Sequence, residues 1–301
     1  MEILSVRNIE KSFKKHKILK GVSFSIGEQE IVGFLGPNGS GKSTTIKCIC
    51  GLYGLDAGEI AICGYDIEKQ RESALSELGA SIESPALYPQ LTGREHLKMM
   101  GNWRNATSAR VKEMEEYTGI GAYLNKRTAT YSMGMKMRLM LAMTLMARPK
   151  LIILDEPTNG LDPQAVFELR KEMEMIRKDG SSILFSSHQL GEVEKLADRI
   201  IFLKQGELVY DGVIPKELVG MEYGVRIMPQ HKEASLQALK NLSFVQMQEQ
   251  ENEDTPQWIT FSVTQQELLG KAIATLEQIG FVYDVVKKDM DLEDFYKKIY
   301  R

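Results

Sequence analysis

Nine residues, Gly36-Pro37-Asn38-Gly39-Ser40-Gly41-Lys42-Ser43-Thr44, restrict what this chain can become more than any other stretch. They follow an apolar run, Ile31-Val32-Gly33-Phe34-Leu35, that reads as a buried strand, and they precede Ile46-Lys47-Cys48-Ile49-Cys50, whose spacing is helical. The stretch fits G-x-x-x-x-G-K-[ST] in the strand, loop, helix order that the pattern needs. Its glycines let the backbone curl until successive N–H groups point at one anion, and the helix behind them adds its positive end. The natural ligand of such a cradle is a polyphosphate. Lys42 then serves as a point charge for the β- and γ-phosphates, the Ser43 hydroxyl as a ligand for Mg²⁺, and Thr44 as a partner of the α-phosphate.

A chain of 301 residues, 43% of them hydrophobic, can bury a substantial core and suits two domains or one large domain with an appendage. The formal net charge is −3 with both signs interspersed. No basic field of the kind that holds nucleic acid is present, so neither DNA nor RNA is an expected partner. Cys48, Cys50 and Cys63 lack the spaced partners of a zinc site, and an odd count argues against a disulfide framework. Buried thiols in a reducing compartment are expected. The first residues, Met1 to Arg7, show no signal pattern, and no apolar run is long enough to span a bilayer. The expectation is a cytoplasmic chain that reaches a membrane only through a partner.

Taken in order, residues 2–9 and 22–26 read as short strands ahead of the phosphate loop. Phe13, between Lys11 and Lys15, is either a strand-edge aromatic or, if exposed, a surface on which a base can stack. Residues 59–65 suggest a hairpin arm and 69–78 a helix. Residues 79–83 then form a short strand that ends in Glu83 and is stopped by Ser84-Pro85, placing the carboxylate where α/β proteins keep active-site groups. Residues 92–147 are mostly helical. Met137, Met140 and Met143 share one helix face there, which points to core packing of a helical insert, with a compliant docking surface as the alternative.

Residues 150–157 read as a buried strand ending in Asp155 and Glu156, and buried acids need a cation or donors; Mg²⁺ would serve. After the turn at Gly160–Pro163, residues 164–178 are an amphipathic helix with Gly180 at its end, and 182–188 form a strand that ends in His188. A helix over 190–197 and strands over 199–203 and 207–210 complete this part. Near Pro215 the composition shifts. Strands at 223–228, 258–263 and 281–286, helices at 231–241, 265–279 and 291–299, and a polar loop over 246–257 suggest a small α+β unit.

Together these pieces resemble the nucleotide-binding subunit of an ABC transporter over residues 1 to about 215. Gly36 to Thr44 matches the Walker A loop and Leu151 to Glu156 the Walker B strand. Tyr131-Ser132-Met133-Gly134-Met135 lies where the family has its signature, Asn159-Gly160-Leu161-Asp162 looks like the D-loop, and Ser187-His188 looks like the switch histidine. Small GTPases and kinases carry no such signature between the two Walker motifs. The implied fold is an α/β P-loop NTPase cassette, with a mixed sheet, an antiparallel β-subdomain and a helical subdomain at about 85–147. The implied domains are an ABC ATPase domain at 1–215 and a small α+β accessory domain at 216–301.

The resemblance also implies roles. Two copies of the chain close head to tail around ATP, each Walker A loop facing the partner's signature, so that Ser132 and the Gly134 backbone reach the γ-phosphate in trans. Asp155 holds Mg²⁺, Glu156 is the general base for the attacking water, His188 contacts the γ-phosphate, and Phe13 stacks on adenine. Asp162 of the D-loop belongs to the nucleotide-binding set. Separate membrane permease subunits are the further partners, which places the chain at the cytoplasmic face of the membrane.

Departures from the family pattern narrow the resemblance. Met133 and Met135 replace the usual Gly and Gln of the signature while Ser132 and Gly134 remain, and Met137 stands where many members have Gln. Glu83 replaces the glutamine that touches Mg²⁺ and senses the permease, adding a negative charge beside the metal. With the surrounding 82–92 segment, Glu83 is similar to a subgroup that protects Gram-positive bacteria from lantibiotics and bacitracin by expelling the peptide. Ser132 to Lys136 and the tail Asp291 to Tyr296 share that similarity. An exporter of another drug, lipid or ion is the alternative within the transporter class. A soluble ABC ATPase acting on ribosomes or DNA fits less well, because such proteins usually fuse two cassettes or insert a long coiled coil, and this chain has neither.

Overall fold

Alternating apolar residues over the first stretch of chain form two long antiparallel strands, β1 (Glu2–Phe13) and β2 (His16–Gly27), which pair from Glu2↔Gly27 to Phe13↔His16. The computed structural model describes residues 2–82, 87–188, 190–213, 222–247, 257–288, 292 and 296. Within it the chain divides into two compact units, Met1–Ile214 and Pro215–Arg301. In the first, β3 (Ile31–Leu35) is buried along its whole length and feeds the phosphate loop and α1 (Lys42–Ile49). β4 (Ala57–Ile62) and the short β5 (Tyr65–Asp66) then add to the other edge of β1, giving a four-stranded antiparallel sheet ordered β2-β1-β4-β5.

The chain next runs through α2 (Arg71–Ser76) and β6 (Leu78–Ser81), then α3 (Gly93–Trp103), α4 (Ser108–Tyr117) and α5 (Met133–Thr144). It returns to the sheet in β7 (Leu151–Leu154) and continues as α6 (Pro163–Lys178), β8 (Ser182–Ser186), α7 (Leu190–Leu196), β9 (Arg199–Lys204) and β10 (Glu207–Val213). The resulting sheet is ordered β10-β9-β3-β8-β7-β6, parallel except where β10 turns back along β9. Its central strands β3, β7 and β8 are apolar runs buried on both faces, as parallel strands covered by helices must be. Their carboxyl ends therefore open together. A second cluster, with Leu97, Met114, Leu124, Leu139, Ala142 and Met146 at its centre, holds α3, α4 and α5 to one another.

The second unit runs β11 (Glu222–Ile227), α8 (Lys232–Lys240), β12 (Val245–Met247), β13 (Trp258–Val263), α9 (Leu269–Glu277) and β14 (Val282–Lys288). Its strands are antiparallel in the order β12-β13-β11-β14, which is the split βαβ, or ferredoxin-like, arrangement. Leu239 of α8 and Ala272 and Leu276 of α9 pack on Tyr223, Val225, Ile259 and Phe261 of the sheet.

Several sequence expectations shift at their edges. The expected helix over 69–78 is trimmed to α2, and the strand expected over 79–83 stops at Ser81. Glu83 lies outside the described residues. The strand expected over 22–26 extends back to His16 because the whole of β2 pairs with β1. The polar loop expected from 246 gives up its first residues to β12, which hydrogen-bonds to the edge of β13. Among residues 291–299, expected as a helix, only 292 and 296 are described.

Candidate functional site

Gly36 opens the phosphate loop because nothing larger fits there: a Cβ would lie 2.3 Å from the Leu203 carbonyl oxygen and 2.6 Å from Ser40 Oγ. Gly41 immediately precedes α1 at φ +110°, a left-handed conformation that glycine adopts without strain. Asn38, Gly39, Gly41, Lys42, Ser43 and Thr44 line a cleft of about 620 Å³ together with Ile18, Glu156, Asn159 and His188. Lys42 is buried, and its Nζ donates to the Gly36 carbonyl at 2.6 Å and the Pro37 carbonyl at 3.3 Å. Burial pushes its ammonium below the usual lysine range, and the charges of Glu156 and Asp155 partly offset that.

Two carboxylates face the loop from the end of β7. Asp155 is buried, and its backbone N–H donates to the Ser81 carbonyl. The Ser186 hydroxyl at the end of β8 donates to Asp155 Oδ1 at 2.5 Å and accepts the Glu156 N–H at 2.9 Å. One hydroxyl thus fixes both acids. Glu156 has φ +53°, an uncommon conformation for a residue with a side chain. Its Oε2 lies 2.8 Å from His188 Nδ1. With the carboxylate ionised, Nδ1 carries the proton of that bond.

The donor set fits a magnesium nucleotide. Ser40 Oγ is buried without a hydrogen-bond partner beside the loop glycines, and Lys42 is a buried cation whose donors reach only backbone oxygens of the loop. Among the described residues no three His, Cys, Asp or Glu side chains gather around one point. A hard cation here would therefore take Asp155 and the Ser43 hydroxyl alongside phosphate oxygens, the mixed coordination that Mg²⁺ prefers.

Ser132, Gly134 and Asp162 are elsewhere. Ser132 caps α5, its Oγ accepting the Met135 N–H at 3.2 Å, and Asp162 caps α6, its Oδ1 accepting the Ala165 N–H at 2.8 Å. Both line a second cleft of about 430 Å³ with Gly134, Tyr123, Arg138 and Glu168, and no residue is shared with the first. The Ser132 O–H and the Gly134 N–H, in the first turn of α5, are donors suited to an anion. Phe13, the last residue of β1, is 40% exposed and packs edge-on against Tyr53 with ring centroids 5.1 Å apart; it does not line the phosphate cleft. Ser186 escaped the sequence reading, because a serine inside an apolar strand gives no signal until the neighbouring strand is known. The pairing Leu154↔Phe185 brings it beside Asp155.

Comparison with known proteins bears on the family and the fold. The ABC transporter family model matches residues 19–159. An uncharacterized ABC transporter ATP-binding protein of Bacillus subtilis, YdbJ, is 41% identical over 68% of this chain and 68% of its own length. The linearmycin resistance ATP-binding protein LnrL of the same organism is 40% identical over 70% of this chain and 69% of its own. The lantibiotic transport ATP-binding protein SrtF of Streptococcus pyogenes is 36% identical over 70% and 92%. A solved structure of an ATP-binding subunit of an ABC transporter superposes with a TM-score of 0.66 at 31% identity, covering 70% of this chain and 90% of that one. The described residues contain no helix long and apolar enough to cross a membrane, and ATP-binding subunits of this kind work with membrane permease components. The chain belongs to the ABC transporter ATP-binding family, an ATPase family, and is the ATP-binding subunit of such a transporter.

Proposed function

We propose that two copies of this chain hydrolyse Mg-ATP head to tail and drive a separate permease that expels an antimicrobial peptide. The observation that carries the catalytic part is the separation of the two clefts: Lys42, Ser43, Glu156 and His188 line one, and Ser132, Gly134 and Asp162 the other. A second copy turned head to tail would bring the two sets to one triphosphate. Magnesium, when bound, would offset phosphate charge; Asp155 and the Ser43 hydroxyl would hold it, with Glu83 as a further carboxylate from the sequence. Lys42 leaves the loop carbonyls for the phosphate oxygens. The partner's Ser132 hydroxyl and Gly134 N–H reach the γ-phosphate. Glu156, one oxygen held by His188, keeps the other for the proton of the attacking water, and His188 would contact the γ-phosphate and help align that water. Phe13 offers its exposed ring to the adenine, and Asp162 completes the closing surface.

Replacing Glu156 with Gln keeps the shape and removes the base. Turnover falls by at least about 100-fold while ATP still binds. Turnover at the parent rate would overturn the assignment of the base.

The peptide cargo is supported by the name of SrtF and by the sequence around Glu83, similar to that of the lantibiotic and bacitracin resistance subgroup, while the name of LnrL supports a role in resistance to an antimicrobial more broadly. The chain then works at the cytoplasmic face of the membrane through its permease. Deleting its gene from the host raises sensitivity to a lantibiotic; unchanged sensitivity across a panel of lantibiotics and bacitracin would leave another drug, lipid or ion as the cargo.

A further inference from the structure

His96, in the second turn of α3, is fully buried, and both of its ring nitrogens are committed to backbone. Nδ1 lies 2.8 Å from the Thr92 carbonyl, and Nε2 accepts the Tyr88 N–H at 2.9 Å. A carbonyl only accepts and an N–H only donates, so the ring is neutral with its proton on Nδ1. From the opposite side, the buried Thr128 donates its hydroxyl to the Tyr88 carbonyl at 2.8 Å. The two polar groups of one peptide residue are thus gripped by side chains from two different elements.

The Thr128 grip is not required to satisfy its neighbour, whereas His96 Nε2 is the acceptor that the Tyr88 N–H uses. The start of α3 already has a full capping box between Thr92 and Glu95, and the Tyr88 carbonyl already accepts the Leu91 N–H at 3.0 Å. A leucine would fill the space of His96 but leave the Tyr88 N–H without this acceptor. What the pair adds is a fixed position for Tyr88, five residues beyond Glu83.

The same contacts lead onward to the second cleft. Thr128 begins a short 3-10 turn, Thr128–Thr130, and its carbonyl accepts the Tyr131 N–H at 3.1 Å; the next residue is Ser132. The Thr128 N–H donates to Leu91 at 2.9 Å and the Ala129 N–H to Pro89 at 3.1 Å. Gly93 closes the arrangement: a Cβ there would lie 2.5 Å from Tyr131 Oη, whose hydroxyl donates to the Tyr123 carbonyl. No slack remains between residues 88–93 and the residue that precedes Ser132.

We propose that His96 and Thr128 are positioning residues for ATP hydrolysis: they clamp the Tyr88 backbone and so couple residues 88–91 to the placement of Ser132. The coupling rests on the reading of Ser132 and Glu156 given above. A shift of the chain at Tyr88 is carried through Thr128 and Tyr131 into the cap of α5. The clamp acts on the half of the site that closes from the partner and leaves the cleft that binds ATP in cis untouched.

Steady-state ATP hydrolysis by the full-length protein tests this with two pairs of variants. His96→Leu and Thr128→Val remove the clamping atoms; His96→Gln and Thr128→Ser keep an acceptor and a hydroxyl. Thr128→Val has nearly the parent shape and leaves the Tyr88 carbonyl bonded to Leu91, so it remains folded even if His96→Leu does not; thermal unfolding checks each. The expected result is a kcat lowered about tenfold in the two loss variants, KM for ATP within about twofold of the parent, and kcat restored to within about threefold by the two conservative ones. A folded Thr128→Val with the parent kcat overturns the clamp, as does a loss expressed in KM alone or a Thr128→Ser that fails to restore kcat. Glu156→Gln run in parallel separates the two ideas. If it abolishes turnover while Thr128→Val matches the parent, only the clamp falls; if it turns over normally, the base assignment falls and the clamp is still judged on its own kcat values.

Discussion

Ser186 shows how a neutral side chain can set the chemistry of charged ones. Its hydroxyl donates to Asp155 and accepts from the Glu156 backbone, so one atom fixes the cation-facing acid and the residue proposed as base. Ser186→Ala leaves the half-buried Glu156 N–H and one oxygen of the buried Asp155 without this partner. Urea unfolding is expected to show a loss of about 1–3 kcal/mol, the usual cost of orphaned buried polar groups, together with a lowered kcat. A variant as stable and active as the parent would mean that water replaces the hydroxyl. Lys42, Ser43, Asp155, Glu156 and His188 were legible because each ends a strand or begins a helix beside turn residues, where polar side chains have few structural reasons to be. Ser186 and His96 were not, because their partners lie 30 or 31 residues away and on a backbone amide, respectively. Sequence spacing carries neither relation.

At the level of elements, the methionine-rich α5 shows how far periodicity reaches. The shared face of Met137, Met140 and Met143 suggested core packing, and Met137 and Met140 are buried, while Met133, in the first turn, is 37% exposed. Met140→Ala should therefore lower stability by about 2–5 kcal/mol, measured by denaturant unfolding, as for other large-to-small core changes. A change near zero would return this face to the docking-surface alternative. The free thiols follow the same logic of burial. Cys50 is pushed up to about 12 and Cys48 to about 11, chiefly by burial, so both should resist a maleimide at pH 8 in the native protein and react after unfolding. Fast native labelling of either would mean that α1 opens. In the second unit the elements were legible but their order was not. Three strands and three helices were expected, the last helix lying almost wholly outside the described residues, whereas the three-residue β12 is too short for any period and is defined only by pairing with β13. Without β12 the split βαβ arrangement cannot be recognised.

For the whole molecule, the division at Ile214 and Pro215 has a thermodynamic consequence. Each unit has a hydrophobic core of its own, one centred on residues such as Ile26, Phe34 and Leu184, the other on Val225, Ile259 and Phe261. Every residue proposed to touch the nucleotide lies in the first. A ligand that binds only the folded state of one unit stabilises that unit by RT ln(1 + [L]/Kd), about 2.7 kcal/mol at a concentration 100 times Kd. Calorimetric unfolding of the Glu156→Gln protein, which binds ATP without consuming it, is therefore expected to show two transitions. Mg-ATP should raise the temperature of the one assigned to residues 1–214 and leave the other in place. Assignment is direct, since a chain cut to residues 1–214 retains one transition and its nucleotide response. If Mg-ATP moves both transitions together, or only one transition exists, the second unit unfolds with the cassette and its stability is tied to the nucleotide state. It would then be a participant in the ATP cycle, and its truncation should change kcat as well as the unfolding profile.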